Sequence, residues 1–144
     1  MIDLRQISTK ITSNYGWRTD PINGKQKYHS GMDMVLSNDR VPSINSGTVE
    51  TVGKSSTWGN YVTIRHADGT SALYAHLASP SNLIEGSAIS EGTIIGTQGS
   101  TGRSTGKHLH LTMRDAAGEL IDPAEYMSGG GSFSVSNLSD TIPG

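Results

Sequence analysis

Short runs in which apolar and polar residues alternate dominate this chain, and a period of two predicts β-strands. In residues 107–115, three apolar side chains point one way, whereas His108 and His110 point the other. No run with helical periodicity exceeds about two turns. Eighteen glycines favour tight turns between the strands. The alternation predicts strands at residues 29–36, 46–53, 60–66, 70–77, 93–98 and 107–115.

Two of these strands are predicted to form a β-hairpin, because an Asp-Gly pair at 68–69 separates them. This dipeptide favours the positive φ angles of a two-residue turn. With residues 68–69 as the whole loop, Val62 faces Ala75 across the hairpin and contributes to an apolar face. The opposite face then carries Tyr74 and His76.

The length of 144 residues is enough for one domain with a modest core. After Met127 the sequence becomes polar, rich in glycine and aperiodic, a composition typical of linkers. We therefore predict a domain at residues 1–127 and a linker or disordered tail at residues 128–144. Such a segment favours a place within a longer, multidomain chain.

Composition narrows the classes of partner. Eleven basic and thirteen acidic residues give a formal net charge of −2, so no broad basic surface for nucleic acid is expected. No apolar stretch approaches the length of a membrane span, and the first twenty residues do not resemble a signal peptide. The lack of cysteine excludes disulfides and thiolate metal sites. We expect no nucleic-acid partner and no membrane insertion.

Histidine carries the candidate chemistry. Three predicted strands place metal-competent side chains opposite their apolar faces, and these are His29 with Asp33, then His76, then His108 with His110. Imidazole and carboxylate ligands suit zinc, and a catalytic zinc site normally has three protein ligands and one open position. Five candidates for three places would leave two histidines for proton transfer.

Three motifs follow one another along the chain: HSGMD at 29–33, YAHL at 74–77 and GSTGRSTGKHLH at 99–110. In this combination and order, the chain resembles the lysostaphin/LytM-type zinc endopeptidases, also called β-lytic metallopeptidases, which cut the peptides of peptidoglycan. The resemblance covers residues 14–126. It implies an all-β fold, with a twisted antiparallel sheet of the duplicated hybrid motif type and zinc in a groove between loops.

The resemblance also implies roles for the candidate residues. One Zn²⁺ would be held by His29, Asp33 and His110. His76 and His108 would be paired histidines that transfer protons and stabilise the transition state. We assign His108 as the base and His76 as the donor to the intermediate, although the motifs leave these two roles interchangeable. The substrate would be a bacterial peptidoglycan peptide, and the motifs do not identify the bond.

Two further residues are expected at the cleft. The resemblance suggests Asn60 as a substrate contact, and we expect Tyr74 to contact substrate as a cleft wall. His66 is frequent in such sequences without being a ligand, which agrees with its predicted place on the apolar side of the hairpin. The chain departs from the family at residues 111–112, where Leu-Thr replaces the common Phe-Glu. We expect this departure to alter strand packing and cleft shape but not the metal site.

Other functions are compatible with the same pattern. A non-catalytic wall-binding or activator module would share the fold, but the complete ligand set argues against it. A metallohydrolase that acts on another substrate, such as an ester, would share the metal site. We expect action on the bacterial cell wall, in an extracellular or periplasmic setting. A module from a phage lysin or tail-associated protein is a further hypothesis, since no signal peptide is recognised.

Overall fold

β-Strands form almost all of the regular structure of this protein. The computed structural model describes residues 1–19, 22–102, 104 and 106–129. Within them, a 3₁₀ turn at Leu4–Ile7 precedes the first strand, and a short helix, α1, at Pro123–Met127 follows the last. The strands are β1 (Ser8–Ser13), β2 (Gly16–Thr19), β3 (Gln26–His29), β4 (Met32–Leu36), β5 (Arg40–Pro42), β6 (Gly47–Ser55), β7 (Gly59–Arg65), β8 (Ser71–Leu77), β9 (Ala88–Ile89), β10 (Ile94–Thr97), β11 (Leu109–Arg114) and β12 (Leu120–Ile121).

One large antiparallel sheet organises the fold. Its strands lie in the order β1-β4-β11-β8-β7-β6-β9, and β12 pairs with β11. Two smaller pairs, β5 with β10 and β2 with β3, lie outside it. Alternation sends one face of each central strand into the core, where Met34, Val62 and Leu111 have no exposed surface. The predicted all-β fold with a twisted antiparallel sheet is confirmed.

The predicted strand at residues 29–36 is wrong as a single element. His29 ends β3, which pairs with β2, whereas Asp33 belongs to β4 in the large sheet. The chain bends between them at Gly31, where an added Cβ would lie 2.5 Å from the carbonyl oxygen of Leu111. A glycine fits either phase of an alternating pattern, so the sequence did not reveal this bend.

The predicted register of the hairpin is wrong by one residue. The N–H of His66 donates to the carbonyl oxygen of Thr70 at 2.8 Å, so the loop is longer than the Asp-Gly pair alone. Asp-Gly also suits this longer loop, in which only the glycine needs a positive φ. Val62 consequently faces Tyr74 rather than Ala75. A one-residue slip moves side chains to the other face, so Tyr74 points into the core.

The predicted linker or tail at residues 128–144 lies almost entirely outside the described residues, which end at 129. The division at Met127 therefore stays a prediction. The last described element is α1, where Met127 is buried in the core. In the ranges given above, no helix has the length and apolar character needed to cross a membrane.

Candidate active site

Three potential metal ligands meet where β3, β4 and β11 approach one another. His110 of β11 is paired with Asp33 of β4 in the sheet register, and His29 is the last residue of β3. His110 Nδ1 lies 2.7 Å from Asp33 Oδ1, and His29 Nε2 lies 3.4 Å from Asp33 Oδ2. One ligand atom from each residue lies within 4.8 Å of the other two. Two imidazoles and one carboxylate at this spacing fit a zinc ion that keeps an open position.

Hydrogen bonds on the far side of the ring orient His29. Its Nδ1 lies 3.1 Å from the carbonyl oxygen of Asn14 and 3.0 Å from the Ser13 hydroxyl. Because a carbonyl only accepts, Nδ1 carries the proton and Nε2 presents its lone pair toward Asp33. Burial lowers the pKa of His29, which favours the neutral ring that a metal ligand requires.

His110 is more deeply buried and is contacted by Thr112. His110 Nε2 lies 2.7 Å from Thr112 Oγ1, and Nδ1 is the nitrogen that faces Asp33. One of the two residues at which the chain departs from the family thus contacts a candidate ligand, and the expectation that the departure leaves the metal site unaltered stays a prediction. Burial raises the pKa of the Asp33 carboxyl, but the hydrogen bond from His110 and the neighbouring imidazoles outweigh it and hold the pKa below its ordinary value.

β8 contains one extra residue beside His76. Val62 pairs with Tyr74, whereas Asn60 pairs with Leu77, so a β-bulge lies between these two pairs. Within the described ranges, His76 is the only non-glycine residue with a positive φ, at 63°. The bulge returns Leu77 to the core and leaves the His76 ring on the other side of the strand.

His76 and His108 lie side by side at the edge of the ligand cluster. Their ring centroids are 5.0 Å apart, and His108 Nε2 lies 3.6 Å from Asp33 Oδ1. His76 Nδ1 donates to the carbonyl oxygen of Thr101 at 2.7 Å, and His108 Nδ1 donates to that of Gly106 at 2.8 Å. Each neutral ring therefore keeps Nε2 as an acceptor. Burial lowers the pKa of His76, which favours that neutral form.

Two residues that sequence analysis did not identify hold His76 in place. The carbonyl oxygen of Trp58 accepts a hydrogen bond from the backbone N–H of His76 at 2.7 Å. The centroid of the Trp58 ring lies 4.9 Å from that of the His110 ring. Thr101 accepts the His76 ring proton, and its hydroxyl donates to the carbonyl oxygen of Leu77 at 2.6 Å. Thr101 lies within the motif at 99–110 and Trp58 directly precedes β7, but nothing in their residue types signals these contacts.

The two predicted substrate contacts are buried. Tyr74 has no exposed surface and its hydroxyl accepts the N–H of Ile44 at 3.0 Å, so the prediction of a cleft contact is wrong. The physical reason is the shifted hairpin register. Asn60 is 5% exposed, and its side-chain amide donates to the carbonyl oxygen of Leu77 at 3.2 Å. Asn60 therefore supports the backbone next to His76 rather than facing the cleft.

His66 lies apart from the cluster and has a packing role. Its ring stacks on that of Tyr126 with a centroid distance of 6.1 Å, and its Nδ1 donates to the carbonyl oxygen of Ser46 at 2.9 Å. Burial lowers the pKa of His66. These contacts agree with the interpretation that His66 is not a ligand.

A groove of about 340 Å³ extends from the cluster across β1 and β4. Asp33 and His108 form part of its wall, together with Lys10, Thr12 and Lys107. The groove is open to solvent, so both site residues are accessible from outside the protein.

The family of the chain emerges from comparison with known proteins. Residues 27–123 match the peptidase family described as Peptidase family M23. The chain is 39% identical over 118 residues to the DD-carboxypeptidase/endopeptidase Mpg of Neisseria meningitidis serogroup B. The matched region covers 81% of this chain and 27% of Mpg. The chain therefore belongs to peptidase family M23, a family of metallopeptidases, and the resemblance inferred from the motifs is confirmed.

Solved structures of the same family superpose on this fold. The catalytic domain of the antimicrobial peptidase lysostaphin from Staphylococcus simulans matches with a TM-score of 0.73 at 29% identity, covering 89% of this chain and 99% of that domain. The catalytic domain of the prophage-encoded M23 protein EnpA from Enterococcus faecalis matches with a TM-score of 0.68 at 31% identity, covering 81% and 89%. The chain thus spans about a quarter of Mpg but nearly all of these catalytic domains.

Proposed function

We propose that this chain is a zinc-dependent endopeptidase that hydrolyses peptide bonds in the stem peptides or cross-bridges of bacterial peptidoglycan. The observation that carries the proposal is the convergence of His29, Asp33 and His110 within 4.8 Å, beside two histidines whose Nε2 atoms remain acceptors. The names of Mpg and lysostaphin support the choice of a peptidase that acts on the cell wall.

The proposed ligands for one Zn²⁺ are His29 through Nε2, His110 through Nδ1, and a carboxylate oxygen of Asp33. Hydrogen bonds already hold both imidazoles with the required nitrogen toward Asp33, so binding needs little rearrangement. When bound, zinc supplies a Lewis acid and lowers the pKa of water toward neutrality.

The proposed proton transfers belong to His76 and His108. A neutral Nε2 accepts the proton of the attacking water, and a protonated ring then donates to the oxyanion or to the leaving amine. One observation favours exchanging the roles assigned from the motifs. Burial lowers the pKa of His76, which favours its neutral ring and suits it as the acceptor.

The setting of the domain is also a proposal. We propose that residues 1–127 are the catalytic domain of a longer protein that acts outside the cytoplasmic membrane, and that residues 128–144 connect it to other parts. The coverage of only 27% of Mpg is consistent with a multidomain parent. The prophage-encoded EnpA supports a phage origin. A parent gene with a secretory leader, outside any prophage, would contradict that origin.

The test is digestion of purified peptidoglycan. We expect new amino groups without new reducing sugar ends, loss of activity with a chelator, and recovery on adding zinc. Mass analysis of fragments from walls of known cross-bridge type would identify the bond. Full activity in a zinc-free preparation would contradict the proposal. Tight wall binding without zinc or turnover would indicate a binding or activator module, and preferential ester cleavage would indicate another hydrolase.

A further inference from the structure

Thr112 differs from the other polar residues near the cluster, because its hydroxyl contacts a candidate ligand at a buried position. Its Oγ1 lies 2.7 Å from Nε2 of His110, on the opposite side of the ring from Asp33. Thr112 is 5% exposed and His110 is 4% exposed. A ring nitrogen so far from solvent depends on a protein partner for its hydrogen bond.

The hydroxyl suits both states of the ring. A neutral imidazole has one N–H and one lone pair, whereas a hydroxyl can donate or accept. Without metal, Nδ1–H of His110 donates to Asp33, and the Thr112 hydroxyl donates to Nε2. With a metal on Nδ1, the proton is on Nε2, and the Thr112 hydroxyl accepts it. The ring can keep the same orientation in both states.

The packing beneath this pair is tight. A Cβ added to Gly31 would lie 2.6 Å from Thr112 Oγ1 and 2.7 Å from His110 Nε2. The backbone of Gly31 therefore closes directly against the contact between ring and hydroxyl. A methyl group in place of the hydroxyl would occupy the same position and leave His110 Nε2 without this hydrogen-bond partner.

We infer that Thr112 is a positioning residue of the metal centre, which holds Nδ1 of His110 toward Asp33 whether or not metal is bound. The inference rests on the proposed zinc function and adds to it a determinant of metal affinity. The carboxylate common at this position in the family only accepts hydrogen bonds, so it would favour the metal-bound proton arrangement alone. The hydroxyl of this chain serves both arrangements.

The first test compares Thr112→Val with Thr63→Val. Valine removes the hydroxyl and keeps the branched shape. Thr63 is a matched control, because Thr63 and Thr112 are both paired with Leu73, from opposite sides of β8. Zinc affinity is measured by competition with a chromophoric chelator, and the unfolding temperature is measured without metal. We expect Thr112→Val to weaken zinc binding by about 10- to 100-fold. Thr63→Val should bind zinc as the unmodified protein does.

A second pair of variants covers the case in which valine disturbs the fold. Thr112→Ser and Thr112→Ala both lack the γ-methyl group and differ only in the hydroxyl. We expect serine to bind zinc within about threefold of the unmodified protein and alanine to show the loss. A merely structural role would lower the unfolding temperature of both variants and leave their zinc affinities equal.

The outcomes separate this inference from the proposed function. If the unmodified protein binds zinc and the valine and alanine variants bind it equally well, the positioning role is overturned and the zinc function stands. If the unmodified protein binds no zinc, both are overturned. If the variants lose zinc affinity but recover full turnover at saturating zinc, the role of Thr112 is confined to metal affinity, as proposed.

Discussion

Asp33 and His110 face each other across two regular strands, whereas His76 and His108 lie where the backbone leaves regular β-structure. His76 occupies a bulge at a φ of 63°, and His108 is joined to Gly99 by an isolated bridge just before β11 begins. Backbone carbonyl oxygens of loop residues orient both rings. The proposed ligands thus depend largely on the sheet, and the proposed proton-transfer residues depend on loops.

This difference has a physical reason. Residues paired on neighbouring strands have Cβ atoms about 5 Å apart, which gives two ligands a reproducible separation without special backbone geometry. A bulge instead re-aims one side chain independently of the alternation along the strand. A left-handed non-glycine residue costs about 1–3 kcal/mol, which the surrounding contacts must offset. Metal binding and turnover should therefore be separable by mutation.

Removing one of the proposed zinc ligands should have the largest effect on turnover. We expect His110→Ala to lose stoichiometric zinc and to lower turnover by about 10³-fold or more, since the metal contributes several kcal/mol to the transition state. Zinc content by elemental analysis and amino-group release from peptidoglycan would measure both. A variant that retained zinc and activity would contradict the assignment of His110 as a ligand.

Removing one of the two proposed proton-transfer histidines should leave the metal in place. We expect His76→Ala to keep zinc while turnover falls by about 10²- to 10⁴-fold, the range for loss of a general acid or base. The matched control is His66→Ala, which removes a buried histidine away from the site and should lower stability without lowering turnover. Equal activity losses in the two variants would show that His76 has no special role.

A substitution at Gly59, which packs against the residue that orients His76, should also lower turnover without loss of zinc, but by less. Gly59 has a φ of 63°, and a Cβ there would lie 2.3 Å from Thr101 Oγ1. We expect Gly59→Ala to displace Thr101 and with it His76, lowering turnover by about 10²-fold at most while zinc is retained.

The control for this change is Gly86→Ala. Gly86 also has a left-handed φ, of 88°, but no atom lies within 4 Å of an added Cβ. It should lose stability and keep normal turnover per folded molecule. A similar loss of turnover in both variants would indicate general strain rather than displacement of Thr101.

A substitution at Tyr74 tests whether this residue belongs to the core or contacts the substrate. We expect Tyr74→Phe to lower the free energy of unfolding by about 1–3 kcal/mol, because the buried N–H of Ile44 loses its acceptor. Denaturant titration would measure this loss, and turnover at a temperature well below unfolding should be unchanged. A selective loss of substrate affinity would restore Tyr74 to the cleft.

The smallest expected effect concerns pH. Burial lowers the pKa of His66, so below the ordinary histidine pKa of about 6.5 the unfolded chain binds a proton that the folded protein resists. Stability should fall as pH decreases from about 6.5 toward the lowered pKa of the folded state. His66→Gln should give a shallower slope than the unmodified protein in denaturant titrations across this range. Parallel slopes would contradict the burial argument.

The sequence predicts the face on which a side chain lies most reliably when that face depends on one strand alone. The alternation around His108 and His110 reflects Leu109 and Leu111 anchoring β11 in the core, and period-two spacing predicts that arrangement locally. Tyr74 was misplaced because its face depends on the pairing of two strands, and the Asp-Gly pair suits more than one loop length.

The contacts that hold the site histidines in place could not be predicted from the sequence, for another reason. Thr101 and Trp58 hold His76 through backbone carbonyl oxygens, which every residue type possesses, so their identities carry no signal. Thr112 stands out in the sequence as a departure from the family. Its contact with His110 depends on the rotamers of both side chains, which the sequence does not specify.

The sequence by itself determined the all-β class, the family and the five residues proposed to carry the chemistry, because strand alternation and the order of the motifs are read along the chain without knowing which strands pair. Only the tertiary structure decided the register of the hairpin, the bulge that aims His76 and the partner of each ring nitrogen. These depend on contacts between segments far apart in the chain, where a shift of one residue exchanges the core face for the site face.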